Sequence, residues 1–202
     1  MKKLFSAALV SAMLSFGASA AETINIDTPA LKDTVQKVYS VYCPFCYKYE
    51  KAVTPNLVKH LPAGAKFQAI CLESKGELGI EACQVLAALS QIGEKQYKSA
   101  KLAMYSAVHD KKLPSVKGPG AKQGALRDIG LSAAGVSLDA FKTALSTPAA
   151  QDKLAYDRTI AKTIALVKGI PAIVINGNKL VDTSTVKSLK DLDETIAKTL
   201  NK

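Results

Sequence analysis

Two cysteines separated by two residues, Cys43 and Cys46 in VYCPFCYKY, are the side chains whose spacing most directly suggests chemistry. Thiols at this spacing can bind a metal ion, form a structural cross-link, or exchange electrons with other thiols. The segments that position the pair, and the partners that the rest of the chain offers, distinguish among these uses.

The residues around the pair predict a strand followed by a helix. Residues 34–41 are rich in β-branched and aromatic side chains, which predicts a strand that ends just before Cys43. Apolar positions between residues 49 and 57 recur at helical spacing and share a face with Cys46. We expect Pro55 to kink this helix without ending it.

A cysteine at the start of a helix lies where backbone N–H groups are unpaired and the helix dipole is positive. This position favours the thiolate of Cys43 and lowers its pKa below the ordinary value of about 8.5. Pro44 suits the first helical turn, where its missing N–H is not needed. We therefore expect Cys43 to be exposed and acidic, and Cys46 to be buried and less acidic. A stabilised thiolate favours the dithiol over the disulfide, which makes the pair an oxidant of other thiols.

Two other uses of the pair remain open at this point. A metal site at a C-x-x-C pair is usually completed by a second such pair or by nearby histidines, but Cys71 and Cys83 are twelve residues apart and His60 and His109 stand alone. A purely structural bridge across two residues would close too small a loop to contribute much stability. A thiol reductase or disulfide isomerase is a further alternative, and no bound metal or other cofactor is predicted besides the Cys43–Cys46 redox disulfide.

Cys71 and Cys83 are the better candidates for a structural disulfide. Cys71 ends a second predicted strand, residues 66–72, and Cys83 opens the first helix of a long helical region. Closing a loop of about 13 residues would contribute roughly 3 kcal/mol in the chain-entropy model. Two buried free thiols are the alternative.

The rest of the chain reads as a helical block followed by a hairpin and a last helix, which together predict an α/β fold. Ser137 and Thr147 are predicted helix N-caps, and Asn176-Gly177 is a favoured tight-turn pair. The predicted helices are 82–93, 94–108, 122–131, 137–145, 147–167 and 186–200, with a loop at 113–120 and hairpin strands at 172–175 and 179–181. The predicted divisions are a signal peptide at 1–20, a first sheet-containing part at 21–75, a helical insertion at 76–159 and a second sheet-containing part at 160–202.

The first 20 residues have the pattern of a secretory signal, with two lysines, an apolar run and an A-x-A site at residues 18–20. Cleavage near Ala20-Ala21 would export the protein to a compartment where disulfides persist. The net charge is +10, and only Arg127 and Arg158 are arginines. Scattered lysines without clustered arginine argue against nucleic-acid binding, and leave a soluble basic surface or an acidic protein partner as interpretations.

Two motifs in order, CPFCYKYE at residues 43–50 and KGIPAIVINGNKLV at residues 168–181, resemble the DsbA family of periplasmic thiol oxidases. The Pro-Phe dipeptide is similar to that of the DsbL branch. The resemblance implies a thioredoxin fold with an inserted all-helical domain. It also implies that Pro171 is cis and packs against the cysteine pair with Ile170 beside it.

The resemblance further implies partners and a location. The protein would act in the periplasm on exported client proteins with free thiols, such as a sulfotransferase, through a mixed disulfide. A quinone-linked membrane protein of the DsbB/DsbI type would reoxidise it. A monomer is expected. The isomerase alternative is disfavoured, because the dimeric isomerases of this fold need a separate dimerisation domain and only residues 21–42 precede Cys43.

Two positions at and near the cysteine pair, Phe45 and Lys37, depart from the family pattern. Phe45 stands where the well-studied oxidases have histidine, so a cation that could stabilise Cys43 is expected to be missing, and Phe45 offers an apolar contact instead. Lys37 stands where the family commonly has a buried acid, whereas Glu50 matches the acid of CYKYE. Our hypothesis is that Lys37 and Glu50 pair beneath Cys46 and tune its proton transfer; the alternative is a solvated strand lysine.

Overall fold

The computed structural model describes residues 20–113 and 123–201 of the chain. The predicted signal peptide lies outside the described residues except for Ala20, and so does the predicted loop at 113–120 except for Leu113. None of the helices in these two ranges is both long enough and apolar enough to cross a bilayer.

A five-stranded mixed sheet forms the centre of the fold, with a strand order of β1-β5-β4-β2-β3. Its β2 and β3 pair in parallel, and the other neighbours pair antiparallel. The first strand was not predicted, because its three residues are exposed and carry no apolar alternation. The strands are β1 (Thr23–Asn25), β2 (Thr34–Tyr39), β3 (Lys66–Cys71), β4 (Ala172–Ile175) and β5 (Lys179–Val181).

Eight helices occur within the described ranges, and five of them lie between β3 and β4 as the sequence predicted. They are α1 (Pro44–Ala52), α2 (Thr54–Lys59), α3 (Gly79–Ile92), α4 (Glu94–His109), α5 (Ala125–Ala134), α6 (Leu138–Leu145), α7 (Pro148–Lys168) and α8 (Leu189–Leu200). The fold therefore belongs to the α/β class and has a long helical insertion between two parts of one sheet.

The helix after Cys46 ends at Ala52 and a second helix starts at Thr54, so the prediction of one kinked helix was wrong. Pro55 lies in the first turn of α2, where its missing N–H costs nothing. The Thr54 hydroxyl donates to the carbonyl of Tyr49 at 3.0 Å, which satisfies an acceptor at the end of α1.

The predicted caps and the hairpin turn are present. Ser137 Oγ accepts from the N–H of Ala140, and Thr147 Oγ1 accepts from the N–H of Ala150. At the turn between β4 and β5, φ is 52° for Asn176 and 78° for Gly177, and two positive φ angles in a row are what a type I′ turn requires.

The last helix starts three residues later than predicted, at Leu189. Ser188 is its N-cap, and the Ser188 side chain accepts from the N–H of Asp191. Residues 186–188 lack this helical bonding because the capping serine holds an extended backbone.

The two faces of the sheet are covered by different helices. On one face, Val35, Ile173 and Ile175 belong to a buried cluster with Leu57 of α2 and Leu192 of α8. The other face packs on α7 through a second cluster, whose members include Val38, Val174, Leu180, Ile160 and Ile164.

A third buried cluster joins the helical insertion to the cysteine pair, since it contains Cys43 and Cys46 together with residues of α3 to α6. Leu154 of α7 lies in this cluster, whereas Ile160 of the same helix packs on the sheet. The proposed boundary between residues 159 and 160 therefore falls within one continuous helix. This helix holds the insertion and the sheet together.

Candidate active site

Cys43 is the N-cap of α1, and its sulfur takes the place that a serine or aspartate oxygen takes in other helices. Its backbone is extended, with φ −98° and ψ 114°, and its Sγ accepts from the N–H of Cys46 at 3.4 Å. Pro44 follows in the first turn, as predicted. The strand β2 ends at Tyr39, and a short connection therefore delivers the sulfur to the unpaired amides of α1.

Both cysteines are buried free thiols in this structure, with residue exposures of 3 % for Cys43 and 0 % for Cys46. The prediction of an exposed Cys43 was wrong, because the sulfur lies against the carbonyl of Ile170 at 3.5 Å and within the third cluster. Exposure is instead concentrated on the next residues: Pro44 is exposed, and 62 % of Phe45 is accessible.

The two thiols differ strongly in acidity. The pKa of Cys43 is lowered to about 6, and the largest cause is a hydrogen bond that the Cys46 thiol donates to the Cys43 sulfur, against the opposing effect of burial. The backbone N–H groups of Cys46 and Phe45 and the charge of Lys75 contribute to the same lowering. The same hydrogen bond and burial raise the pKa of Cys46 far above that of an ordinary thiol.

The charge of Lys75 also lowers the pKa of Cys43, as a smaller influence than the hydrogen bonds from Cys46, so a cation acts on the pair although Phe45 brings none. Lys75 lies in the loop after β3, where φ of Gly76 is +82° and a Cβ on that residue would lie 2.1 Å from Cγ of Tyr42. The Tyr42 ring therefore packs directly on this glycine, and its hydroxyl accepts from the N–H of Leu78 at 3.3 Å. These contacts hold the loop against the residue that precedes Cys43.

Buried charges lie on the core side of the pair. Lys37 is 0 % exposed, and its Nζ donates to Glu50 Oε2 at 2.5 Å and to Thr54 Oγ1 at 2.6 Å. Lys37 is thus not a solvated strand lysine. A second lysine, Lys101 of α4, is 2 % exposed and its Nζ lies 2.7 Å from Glu50 Oε1. Two ammonium groups share one carboxylate, which leaves the cluster with a net charge of +1.

The pKa values of Glu50 and Lys101 reflect their burial and the excess of positive charge in this cluster. Burial would raise the pKa of Glu50, but Lys101 and Lys37 outweigh it and hold the pKa below its usual value. Burial lowers the pKa of Lys101 to about 8, although Glu50 opposes the shift. The sequence did not indicate that Lys101 belongs to this cluster, because its partner Glu50 is 51 residues away and belongs to another helix.

The Ile170–Pro171 peptide bond is cis and lies between α7 and β4. Ile170 packs partly buried against the cluster that contains both cysteines, and its carbonyl faces Cys43 Sγ. The loop therefore reaches the redox pair from the second part of the sheet.

Cys71 and Cys83 form a disulfide with a Cα–Cα distance of 5.6 Å. Cys71 is the last residue of β3 and Cys83 lies in the first turns of α3. The bond ties the helical insertion to the edge strand of the sheet.

Within residues 20–113 and 123–201 there is no group of three or more His, Cys, Asp or Glu side chains that could hold a metal ion. His60 Nδ1 lies 2.9 Å from an oxygen of Asp193, and His109 Nε2 donates to the carbonyl of Val41 at 2.8 Å. Each histidine thus has a structural partner, and the sequence did not reveal that His109 lies near the cysteine pair.

Comparison with known proteins agrees with the fold and the cysteine site described above. A profile of the family described as Thioredoxin matches residues 20–196, which agrees with the mixed sheet and its helical insertion. The fold and the cysteine pair define a thioredoxin-fold thiol:disulfide oxidoreductase. The chain belongs to the DsbA family of these enzymes and is close to its DsbL members.

Individual relatives support this assignment. The DsbL thiol:disulfide interchange protein of Escherichia coli O6:H1 is 36 % identical over 189 residues, which cover 86 % of this chain and 82 % of the relative. The DsbA protein of Dickeya dadantii is 30 % identical over 190 residues, 90 % of this chain and 86 % of the relative. The crystal structure of DsbL from Salmonella enterica serovar Typhimurium superposes with a TM-score of 0.82 at 35 % identity, covering 91 % of this chain and 97 % of that one.

Proposed function

We propose that this protein donates a disulfide formed between Cys43 and Cys46 to client proteins. The observation that carries the proposal is the contrast in acidity: a Cys43 pKa of about 6 beside a strongly raised Cys46 pKa. The dithiol is stabilised as a thiolate–thiol pair at neutral pH, so that the disulfide form is the more reactive partner.

In the reaction, a client thiolate attacks the Cys43 sulfur of the disulfide form. A new bond forms between the client sulfur and Cys43, the Cys43–Cys46 bond breaks, and its electron pair goes to Cys46. A second client thiolate then attacks the client sulfur of the mixed disulfide and releases Cys43 as a thiolate. The client leaves with its own disulfide, and the pair has gained two electrons and become the dithiol.

The surroundings favour Cys43 as the attacked sulfur. Cys46 is fully buried, whereas Cys43 is followed by the exposed Pro44 and Phe45. We assign Phe45 as an apolar contact for a client or partner loop. The backbone of Ile170, whose carbonyl faces Cys43 Sγ, would pair with an extended client segment as an added strand, with Pro171 holding the loop in place.

Lys37 and Glu50 are assigned to the proton chemistry of Cys46. The charge of Lys37 favours the ionised form of Cys46, and Glu50 holds that ammonium in place from α1. The pair would stabilise the leaving sulfur when the client attacks. In this role the lysine performs a task that the family commonly gives to a buried acid.

The cellular setting belongs to the same proposal. After cleavage of the signal peptide near Ala20-Ala21, the protein would act as a monomer in the periplasm on exported proteins with free thiols, a sulfotransferase among them. A quinone-linked membrane protein of the DsbB/DsbI type would restore the disulfide. The scattered lysines would suit an acidic client or an acidic surface on the membrane partner.

A direct test mixes the oxidised protein with a peptide that carries two thiols, followed by acid quenching and mass spectrometry. We expect the peptide to leave as an internal disulfide, with a transient adduct on Cys43. The Cys46→Ala variant is the control, since it has no disulfide to donate and should leave the peptide reduced. An adduct on Cys46, or a wild-type protein that leaves the peptide reduced at equilibrium, would contradict the proposal.

A further inference from the structure

Tyr105 of α4 has a buried hydroxyl that no part of the mechanism above uses. The residue is 0 % exposed, and its hydroxyl has no hydrogen-bond partner within residues 20–113 and 123–201. Leaving such a group unsatisfied costs roughly 1–3 kcal/mol. A cost of this size calls for an explanation, and a role in a later step of the reaction is one.

The other tyrosines of the buried cluster that contains the cysteine pair have hydrogen-bond partners. Tyr39 and Tyr97 share a hydrogen bond of 2.9 Å between their hydroxyls. The Tyr47 hydroxyl donates to Asp110 at 2.8 Å, and Tyr42 accepts from the N–H of Leu78. Tyr105 is thus the exception in a cluster whose hydroxyls are otherwise satisfied.

The ring is fixed beside the redox pair. It stacks on Tyr47, the residue after Cys46, with a centroid distance of 5.1 Å and an interplanar angle of 13°. The centroid of the Tyr39 ring lies 6.4 Å from that of Tyr105. Tyr105 belongs to the buried cluster that contains both cysteines, and negative charge on either sulfur acts on its hydroxyl.

We propose that the Tyr105 hydroxyl donates a hydrogen bond to Cys46 Sγ when that sulfur leaves as a thiolate. The inference rests on the proposed function, in which the client attacks Cys43 and Cys46 is the leaving group. Tyr105 would then be a further catalytic residue for the known class of reaction.

The charge on Cys46 changes during the reaction in a way that explains the unpaired hydroxyl. In the dithiol, Cys46 keeps its proton, and its S–H donates a hydrogen bond to the Cys43 sulfur. In the disulfide, neither sulfur is charged. Only when the bond breaks does Cys46 take the electron pair, inside an apolar cluster where a charge without a donor is costly. A donor that gains its partner at this point favours the transition state over the ground state.

The step is balanced without a proton transfer. The client sulfur bonds to Cys43, the electron pair of the broken bond goes to Cys46, and Tyr105 keeps its proton while it donates. Burial raises the pKa of Tyr105 well above its ordinary value, so the phenol remains protonated as a donor requires. The backbone of Ser40 and the charge of Lys37 also favour ionised Cys46, and Tyr105 would add to them.

The test compares Tyr105→Phe with wild type and with a matched control, Tyr97→Phe, which deletes a paired hydroxyl from the same helix. The rate constant for attack of reduced glutathione on the oxidised protein is measured for all three. We expect Tyr105→Phe to react about 10- to 100-fold more slowly, equivalent to about 1.4–2.7 kcal/mol, while its disulfide form is no less stable to urea. Tyr97→Phe should lose stability and keep the wild-type rate within about twofold.

A second measurement isolates Cys46. In a Cys43→Ser background, the alkylation rate of Cys46 is followed against pH with and without Tyr105→Phe, and we expect the phenylalanine to raise the apparent pKa of Cys46. An unchanged pKa together with a wild-type rate would overturn the inference, and so would an equal slowing in Tyr97→Phe. If wild type itself forms no glutathione adduct on Cys43, the proposed function fails instead, which keeps the two outcomes distinct.

Discussion

At the scale of single residues, the account depends on how one sulfur is held. Cys43 caps a helix, and a thiol, two amides and a lysine lower its pKa to about 6. The sequence predicted the capping position, because a cysteine followed by proline after a strand is a typical helix start. It did not predict Lys75 or the burial of Cys43, since both arise from segments that fold back onto the pair from elsewhere in the chain.

Replacing Lys75 by methionine removes a cation whose charge lowers the pKa of Cys43, and should raise that pKa above about 6. The pH dependence of alkylation of the dithiol form measures this. Lys190→Met is the matched control, because it removes the same charge from a mostly exposed position on α8. An unshifted profile for Lys75→Met, or an equal shift for Lys190→Met, would rule out the assigned role.

The acidity of Cys43 also predicts how stability depends on pH. Its folded pKa of about 6 lies below the ordinary value of about 8.5, so between these values the unfolded dithiol binds more protons than the folded one. The stability of the dithiol relative to the disulfide form should therefore rise from about pH 6 toward about 8.5 and be lost as pH falls through about 6. Urea unfolding of both forms at several pH values tests this, and parallel curves would contradict it.

At the scale of elements, β2, α1 and α4 meet at one carboxylate. Lys37 comes from β2, Glu50 from α1 and Lys101 from α4, so the charge cluster joins the sheet, the active-site helix and the insertion. The pairing of Lys37 with Glu50 could be proposed from the sequence because a strand and the helix that follows it are neighbours. Lys101 could not, because nothing local indicates which face of α4 packs there.

Glu50→Gln should be the most damaging single change in this cluster. It leaves two buried ammonium groups without a carboxylate, and loss of one partner of a buried pair typically costs about 3–5 kcal/mol. Lys101→Met leaves the Lys37–Glu50 pair neutral overall and should cost less than half as much. Urea unfolding of both variants measures the free energy of unfolding, and the reverse order of stability would show that the cluster is not organised around Glu50.

The disulfide between β3 and α3 should stabilise the chain without taking part in the reaction. Replacing Cys71 and Cys83 together by alanine should lower the free energy of unfolding by roughly 3 kcal/mol, as expected for a loop of about 13 residues. The pKa of Cys43 should stay at about 6. A double variant that is as stable as wild type, or one with a shifted Cys43 profile, would contradict this separation of roles.

At the scale of the whole molecule, the order of elements was largely predictable and the way they close around the site was not. Runs of β-branched and aromatic residues, apolar residues at helical spacing, capping residues and the Asn176-Gly177 turn predicted most of the elements. The strand β1 was missed because three exposed residues carry no pattern, and their pairing with β5 depends on a hairpin more than 150 residues away. The continuous helix α7 likewise joins two parts that the sequence suggested separating.

The central claim is that the protein gives its disulfide away, and its equilibrium with glutathione measures that tendency directly. The fraction of protein in the dithiol form is determined across a series of reduced and oxidised glutathione ratios. The account predicts a reduction potential near the value of about −120 mV that is typical of DsbA. A potential near about −270 mV, the thioredoxin value, would identify a reductase and contradict the account.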